Sequence, residues 1–367
     1  MQAENGNRIK TLVFRVSEEY FDSLLDRAAA IIKSGGTVAF PTETVYGLGA
    51  DGLNPEAVLK VFEAKKRPPG NPLSLLIHSR EDVKKVARNI PMNAFRLMDA
   101  FWPGPLTIIL EKNDIVPAIT SGNLASIGVR MPDHKIPLEL IKRAGAPLAA
   151  PSANLSGKPS PSLAAHVISD LTGRIDAILD AGEAAIGLES TVIDMTVKPP
   201  VVLRPGAVSI HELESVIGKV RSGYKNSEAG TESDLLEEKA GQKYGHYTPD
   251  TKVVLVEGEG KQVSEKLAKL LESYRSKEQK IGLLLSEESH EEISVLLALK
   301  NLGPDECFLL GSRKEPEIAA RRLFEGLRKL DSKALDVIVA DGSFSHSGLG
   351  EALINRLREA STVKLFV

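Results

Sequence analysis

The sequence predicts an α/β protein in two unequal parts, a twisted mixed sheet with helices followed by a smaller, doubly wound parallel-sheet domain. Three observations predict it. Short apolar runs recur at irregular spacing through the first two hundred residues, outnumbering the helical stretches, as in a mixed sheet. From Arg221 to Gly241 the chain is rich in Ser, Gly, Glu and Lys and poor in apolar residues, the composition of a linker. Beyond that point strand and helix patterns alternate regularly. The expected divisions are 1–217, 218–250 and 251–367.

In the first part, Ser17 to Ile32 has helical periodicity and is stopped by Gly35 and Gly36. Thr37 to Phe40 reads as a buried strand. Asn54-Pro55-Glu56 is a helix start, with a side-chain cap, a proline at the first position and an acid in the first turn. That helix runs to about Ala64 and meets the cluster Lys65-Lys66-Arg67, which suits a helix C-terminus. Further strands are expected at Leu73–Ile77, Leu106–Leu110, Ile127–Arg130, Pro147–Ala150, Ile175–Asp180, Ser190–Asp194 and Val201–Arg204. Helices fill Glu81–Arg88, Pro137–Arg143, Ser162–Leu171 and Ile210–Ile217. After the linker, strands begin at Val253, Ile281, Cys307, Leu335 and Val363, with helices between them.

Composition narrows the function. With 42% apolar and 26% charged residues and a formal net charge of −3, the chain has the balance of an ordinary globular protein, which argues neither for a nucleic-acid coat nor for a membrane-surface binder and leaves room for a local basic patch. Its single cysteine, Cys307, rules out a disulfide framework and a cysteine-rich zinc site, and reads as a buried strand residue. No run approaches the ~20 apolar residues of a membrane span. The segment Met1 to Lys10 lacks the apolar core of a signal peptide, so a cytoplasmic enzyme is expected.

There is no Walker loop, no His-Glu-x-x-His and no Gly-x-Ser-x-Gly. Gly47, Gly49 and Gly52 spell Gly-x-Gly-x-x-Gly but lie several residues past a strand, with no helix opening until Pro55; they read as tight backbone turns. More informative are six segments where polar side chains flank Pro and Gly at strand ends. They are Pro41-Thr-Glu-Thr-Val-Tyr-Gly-Leu-Gly49, Lys65-Lys-Arg-Pro-Pro-Gly-Asn-Pro72, Ser126-Ile-Gly-Val-Arg-Met-Pro132, Ala150-Pro-Ser-Ala-Asn-Leu-Ser-Gly-Lys-Pro-Ser160, Gly187-Leu-Glu-Ser-Thr191 and Leu203-Arg-Pro-Gly206. Together they supply the cations Lys65, Arg67, Arg130, Lys158 and Arg204 with the donors Thr44, Ser152, Asn154, Ser160 and Ser190. Cations and neutral donors without a nucleophile–base pair suit triphosphate chemistry, which is mostly positioning and charge neutralisation.

In order and spacing these segments resemble the threonylcarbamoyl-adenylate synthases with a YrdC-like domain, over residues 10 to 217. Lys243-Tyr-Gly-His-Tyr-Thr-Pro249 and Gly348-Leu-Gly-Glu-Ala-Leu-Ile-Asn-Arg356 resemble the long form, in which a Rossmann-like domain follows the YrdC-like sheet. The resemblance implies that L-threonine, bicarbonate and ATP give threonylcarbamoyl-adenylate and pyrophosphate, with Mg2+ on the phosphates. The product would pass to a threonylcarbamoyl transferase making t6A at position 37 of tRNAs that read codons beginning with A.

By position, the resemblance assigns Arg67, Asn71, Ser126, Ser152, Ser160 and Arg204 to ATP, with Tyr244 or Tyr247 of the linker folding over the nucleotide as a lid. Thr44, Arg130, Ser190 and the backbone of Ala150 would hold threonine, and Lys65, Arg67, Ser152 and Asn154 form the catalytic group; no side chain is expected to ligate the metal. The sequence departs from the family at Leu76, where many members carry histidine, and at Ala240-Gly-Gln-Lys-Tyr244, where members usually show Pro-Gly-Met-Lys-Tyr. Two rival readings share the fold. A carbamoyltransferase of hydrogenase maturation would carry cysteine-rich zinc modules, which one cysteine argues against. A binding module would turn a basic concave face toward tRNA or double-stranded RNA.

Overall fold

A computed structural model of the chain describes residues 9–224, 247, 249–299 and 302–367. The first part opens with β1 (Leu12–Arg15), α1 (Phe21–Lys33), β2 (Val38–Phe40), β3 (Gly47–Asp51), α2 (Pro55–Lys65) and β4 (Leu75–Leu76). It continues through α3 (Val83–Val86), α4 (Met92–Phe101), β5 (Leu106–Glu111), β6 (Ser126–Arg130), α5 (Lys135–Ala144), β7 (Leu148–Ala149) and α6 (Ala164–Leu171). It closes with β8 (Ala177–Asp180), β9 (Thr191–Asp194), β10 (Val201–Arg204), α7 (Ile210–Ile217) and β11 (Arg221–Ser222). These strands form one 11-stranded sheet in the order β1-β8-β2-β3-β7-β4-β6-β5-β9-β10-β11. Parallel pairs such as β5 with β9 alternate with antiparallel ones such as β5 with β6, so the sheet is mixed. Helices cover both faces: α1 and α5 pack on one, and α2, α4, α6 and α7 on the other.

Local chemistry sets several boundaries. The Asn54 side chain accepts from the backbone of Glu56 and Ala57 and so starts α2. At its other end Lys66 is left-handed (φ 50°), and its N–H closes the last turn. The helix expected over 81–88 is instead a 3-10 turn, Arg80–Asp82, running into the short α3. Gly47 and Gly49 do not turn the chain. They lie within β3, where a Cβ on Gly49 would sit 2.5 Å from the Phe40 ring, so Gly49 makes room for that ring. Strand β11 pairs with β10 and carries the first sheet into the stretch whose composition reads as linker.

The second part contains β12 (Lys252–Glu257), α8 (Gly260–Arg275), β13 (Ile281–Ser286), α9 (Glu287–Leu299), β14 (Glu306–Gly311), α10 (Pro316–Asp331), β15 (Val337–Gly342), α11 (Gly348–Ala360) and β16 (Val363–Phe366). Its 5-stranded sheet, ordered β14-β13-β15-β12-β16, is parallel in every pairing. Helices α8 and α9 cover one face, α10 and α11 the other, as doubly wound sheets require. Cys307 differs from expectation. It is exposed, on the edge strand β14.

The two parts share a core. Val45 and Leu188 of the first pack with Tyr247 against Leu323, Phe324 and Leu327 of α10. Gly187 (φ +78°) fits against α10 so closely that a Cβ there would lie 2.4 Å from the Cα of Arg321. Arg328 of α10 donates to both carboxylate oxygens of Asp170 at 3.0 and 2.8 Å, and its Nε to the carbonyl of Pro159 at 3.1 Å. Beside this pair, His166 Nδ1 is buried with no hydrogen-bond partner among the described residues. Burial first, then the positive charge of Arg328, push the His166 pKa down to about 4. An imidazole depressed below its ordinary ~6.5 favours the fold only while neutral. The melting temperature should therefore fall as pH drops from about 6.5 through about 4. Scanning calorimetry of His166→Asn should show a flatter decline over the same range; an equal slope would remove His166 from the account.

Candidate active site

The segments singled out in the sequence meet at a cavity of about 110 Å³ in the first part. The turn that ends α2 delivers Arg67, whose Nη2 donates to the carbonyl of Pro72 at 3.3 Å. Burial lowers the Arg67 pKa to about 10, still a full cation near neutral pH. The end of β6 delivers Arg130. Its Nη2 lies 2.7 Å from Glu43 Oε1, its Nη1 donates to Thr44 Oγ1 at 3.0 Å, and its Nε to the carbonyl of Gly104 at 3.2 Å. Thr44 Oγ1 is in turn 2.8 Å from Thr42 Oγ1. The end of β10 delivers Arg204, which donates to the carbonyl and hydroxyl of Ser190 at 3.1 and 3.2 Å. Ser190 Oγ is also 2.8 Å from Thr107 Oγ1.

The loop after β7 closes another wall with Ala150, Ser152 and Asn154. Ser152 Oγ donates to Asn154 Oδ1 at 2.6 Å, and Asn154 Nδ2 donates to the carbonyls of Leu155 and Lys158, both at 2.8 Å. Lys65 anchors this loop from beneath and does not line the cavity: its Nζ donates to the carbonyls of Ser152 at 2.5 Å and Asn154 at 2.6 Å. Burial, then the charge of Arg67, hold its pKa well below the usual lysine range.

Of the residues the sequence assigned, Thr44, Arg67, Arg130, Ala150, Ser152, Asn154, Ser160, Ser190, Arg204 and Tyr247 line the one cavity. Asn71 and Ser126 are buried but do not line it, and Ser126 sits at the opposite end of β6 from Arg130. Lys158 points outward and pairs with Asp250 at 3.8 Å. Tyr244 lies outside the described residues, whereas Tyr247 is buried at the cavity, stacked on Phe324 of α10 with ring centroids 5.1 Å apart. Burial, then Glu189, push the Tyr247 hydroxyl pKa upward, so it stays a neutral group. Leu76 lines the cavity at the family's histidine position, while His78 faces elsewhere and pairs with Asp82 at 2.7 Å.

Sequence reasoning missed two acids. Glu43 holds Arg130, and Glu189 lines the cavity itself. Both stand inside the quoted segments as acids among basic and hydroxyl residues, which was the available signal. Glu189 Oε1 accepts from Ser160 Oγ, and Oε2 accepts from Nε of Arg356, on α11, at 2.8 Å. Among the described residues, no group of three or more His, Cys, Asp or Glu is placed to hold a metal ion.

Three arginines and a ring of hydroxyls on strand ends of a mixed sheet, closed by a tyrosine held between two domains, give a two-domain α/β protein with a cationic, hydroxyl-lined cavity. Residues 30–206 match the Sua5, YciO and YrdC family model, described as "Telomere recombination", and residues 208–362 match "Threonylcarbamoyl-AMP synthase, C-terminal domain". The chain is 44% identical to the threonylcarbamoyl-AMP synthase of Pyrococcus abyssi over 97% of this chain and 99% of that one. It is 40% identical to the Bacillus subtilis threonylcarbamoyl-AMP synthase over 93% of each. The crystal structure of P. abyssi Sua5 complexed with L-threonine superposes with a TM-score of 0.87 at 43% identity, covering 97% of this chain and 100% of that one. The chain belongs to the threonylcarbamoyl-AMP synthase family.

Proposed function

We propose that the protein condenses L-threonine, bicarbonate and ATP into L-threonylcarbamoyladenylate with release of pyrophosphate, for t6A formation at position 37 of tRNAs reading codons that begin with A. The observation that carries the reading is the convergence of Arg67, Arg130 and Arg204 with Thr44 and Ser190 on one cavity. Arg130 grips the threonine carboxylate by two parallel hydrogen bonds, with Thr44, Ser190 and the Ala150 backbone around the rest of the amino acid. Arg67, Arg204, Ser152 and Ser160 face ATP; Asn71 and Ser126 are assigned to it by the family resemblance. Asn154 shapes the reacting centre, and Lys65 acts through the loop it anchors.

The neutral amine of threonine combines with bicarbonate to give a carbamate and water. A carbamate oxygen attacks the α-phosphorus of ATP, and the bond to pyrophosphate breaks. Arg67 and Arg204 offset the charge that gathers on the transferring phosphate and the leaving group. No protein nucleophile is needed. Tyr247, roofing the cavity, keeps water from a carbamate and a mixed anhydride that both hydrolyse. Mg2+, if brought in on the phosphates, would add to that neutralisation without a side-chain ligand. Glu189 is the only acid among the described residues lining the cavity, and both its oxygens accept hydrogen bonds from protein groups.

A threonylcarbamoyl transferase then consumes the adenylate. No helix among the described residues is long and apolar enough to cross a membrane, and a cytoplasmic site of action is part of the same proposal. The test is labelled bicarbonate with ATP and threonine, each omitted in turn. Label should enter an adenylate only when all three are present; label in product without threonine would overturn the reading. In the same assay Arg67→Ala should raise the ATP requirement about tenfold to a hundredfold, the scale of one lost charge-assisted hydrogen-bond set.

A further inference from the structure

Glu189 is a carboxylate in a cavity that, on the function proposed above, must accept a triphosphate. Its charge opposes that ligand and competes for Arg204, whose positive charge it feels. The neighbour that answers it comes from the other domain. Arg356 of α11 is fully buried, donates from Nε to Glu189 Oε2 at 2.8 Å and from Nη2 to the carbonyl of Pro205 at 3.0 Å. Pro205 follows Arg204 directly, and the Arg356 guanidinium also lies 5.5 Å from the centroid of the Tyr247 ring.

We infer that Arg356 is a positioning residue of the ATP site: by pairing with Glu189 it cancels the one acid among the described residues lining the cavity and leaves Arg204 turned to the phosphates. The C-terminal domain thereby contributes to a cavity that none of its described residues lines. Glu43 plays the corresponding part for Arg130 with opposite sign, fixing a cation instead of an anion, so the two ion pairs stand on separate subsites. Burial alone would raise the Glu189 pKa; the charges of Arg356 and Arg204 and the hydrogen bonds from Ser160 and Arg356 outweigh it and hold the group ionised. An ionised Glu189 without Arg356 would sit against ATP as a like charge, which costs affinity.

The test measures ATP affinity by calorimetry on the full chain, beside the Michaelis constants for ATP and threonine. Arg356→Met should weaken ATP about tenfold to a hundredfold and leave the threonine constant within about twofold. Arg356→Met combined with Glu189→Gln removes both charges and should bring ATP affinity back to within about threefold of the parent. Arg356→Lys should stay close to the parent. If the single Met variant does not fold, the double variant and Arg356→Lys carry the test, with circular dichroism confirming their fold. A folded Met variant with unchanged ATP affinity would overturn the inference, and so would a folded double variant still weakened tenfold or more. Equal weakening of ATP and threonine would also overturn it, reducing Arg356 to a structural tie. A parent chain that binds ATP yet makes no adenylate would instead overturn the proposed function, while the affinity comparison still decides the role of Arg356.

Discussion

Arg130→Ala is expected to lower threonine-dependent adenylate formation by on the order of a hundredfold to a thousandfold, with most of the loss in the threonine requirement. The guanidinium side chain is 8% exposed, and three neighbours already fix its plane: Glu43, Thr44 and the carbonyl of Gly104. A carboxylate entering the cavity meets a preset fork, so little side-chain entropy is lost on binding. The same substitution strands Glu43, whose side chain is 9% exposed, as a buried charge without its partner. Breaking such a pair costs about 3–5 kcal/mol, so the melting temperature should fall as well. Arg130→Lys separates the two effects. It keeps a positive charge near Glu43 and much of the stability, but it cannot offer parallel donors, so the threonine constant should still rise. A lysine variant with parental threonine kinetics would show that charge alone, and not the fork, does the work.

The second large effect is at Lys65. Its side chain is buried, and its ammonium joins the end of α2 to the carbonyls of Ser152 and Asn154. Lys65→Met keeps the stem and removes the donors, leaving two inward-facing carbonyls unmet. At about 1–3 kcal/mol for each, the loop after β7 loses roughly 2–6 kcal/mol of local support. That loop carries Ala150, Ser152, Asn154 and, at its far end, Ser160 to the cavity, so one substitution disturbs both subsites. ATP and threonine constants should rise together, the opposite of the split expected at Arg67 and Arg130. Amide exchange should accelerate over residues 151–158, and a variant with unchanged exchange there would contradict the anchoring role.

Where local chemistry decides structure, the chain could be read directly. Asn54, Pro55 and Glu56 announce α2, and Val201–Arg204 and Ile210–Ile217 emerge with the boundaries their apolar patterns give. The second domain was legible for the same reason, since each strand and helix of a doubly wound unit is locally patterned. Misreadings arose where distant contacts decide. The glycines of β3 look like turn residues until the Phe40 ring is placed over them. Helix α4 was not among the helices expected, although Ala94, Leu97 and Met98 follow a buried helical spacing. In the site, strand-end hydroxyls and arginines announce themselves beside Pro and Gly. Glu43 and Glu189 do not, since a buried glutamate and a solvated one are written alike. Only partners far along the chain, Arg130 for one and Arg356 for the other, give them meaning.

The 167-residue separation between Glu189 and Arg356 has a consequence for biosynthesis. At about 5–20 residues per second, a ribosome delivers the arginine roughly ten to thirty seconds after the glutamate. On the role inferred for Arg356, a nascent first domain would emerge with the Glu189 charge unanswered and would gain competence for ATP only as the last helix docks. Translation itself would then act as a timer that keeps half-made enzyme from consuming nucleotide.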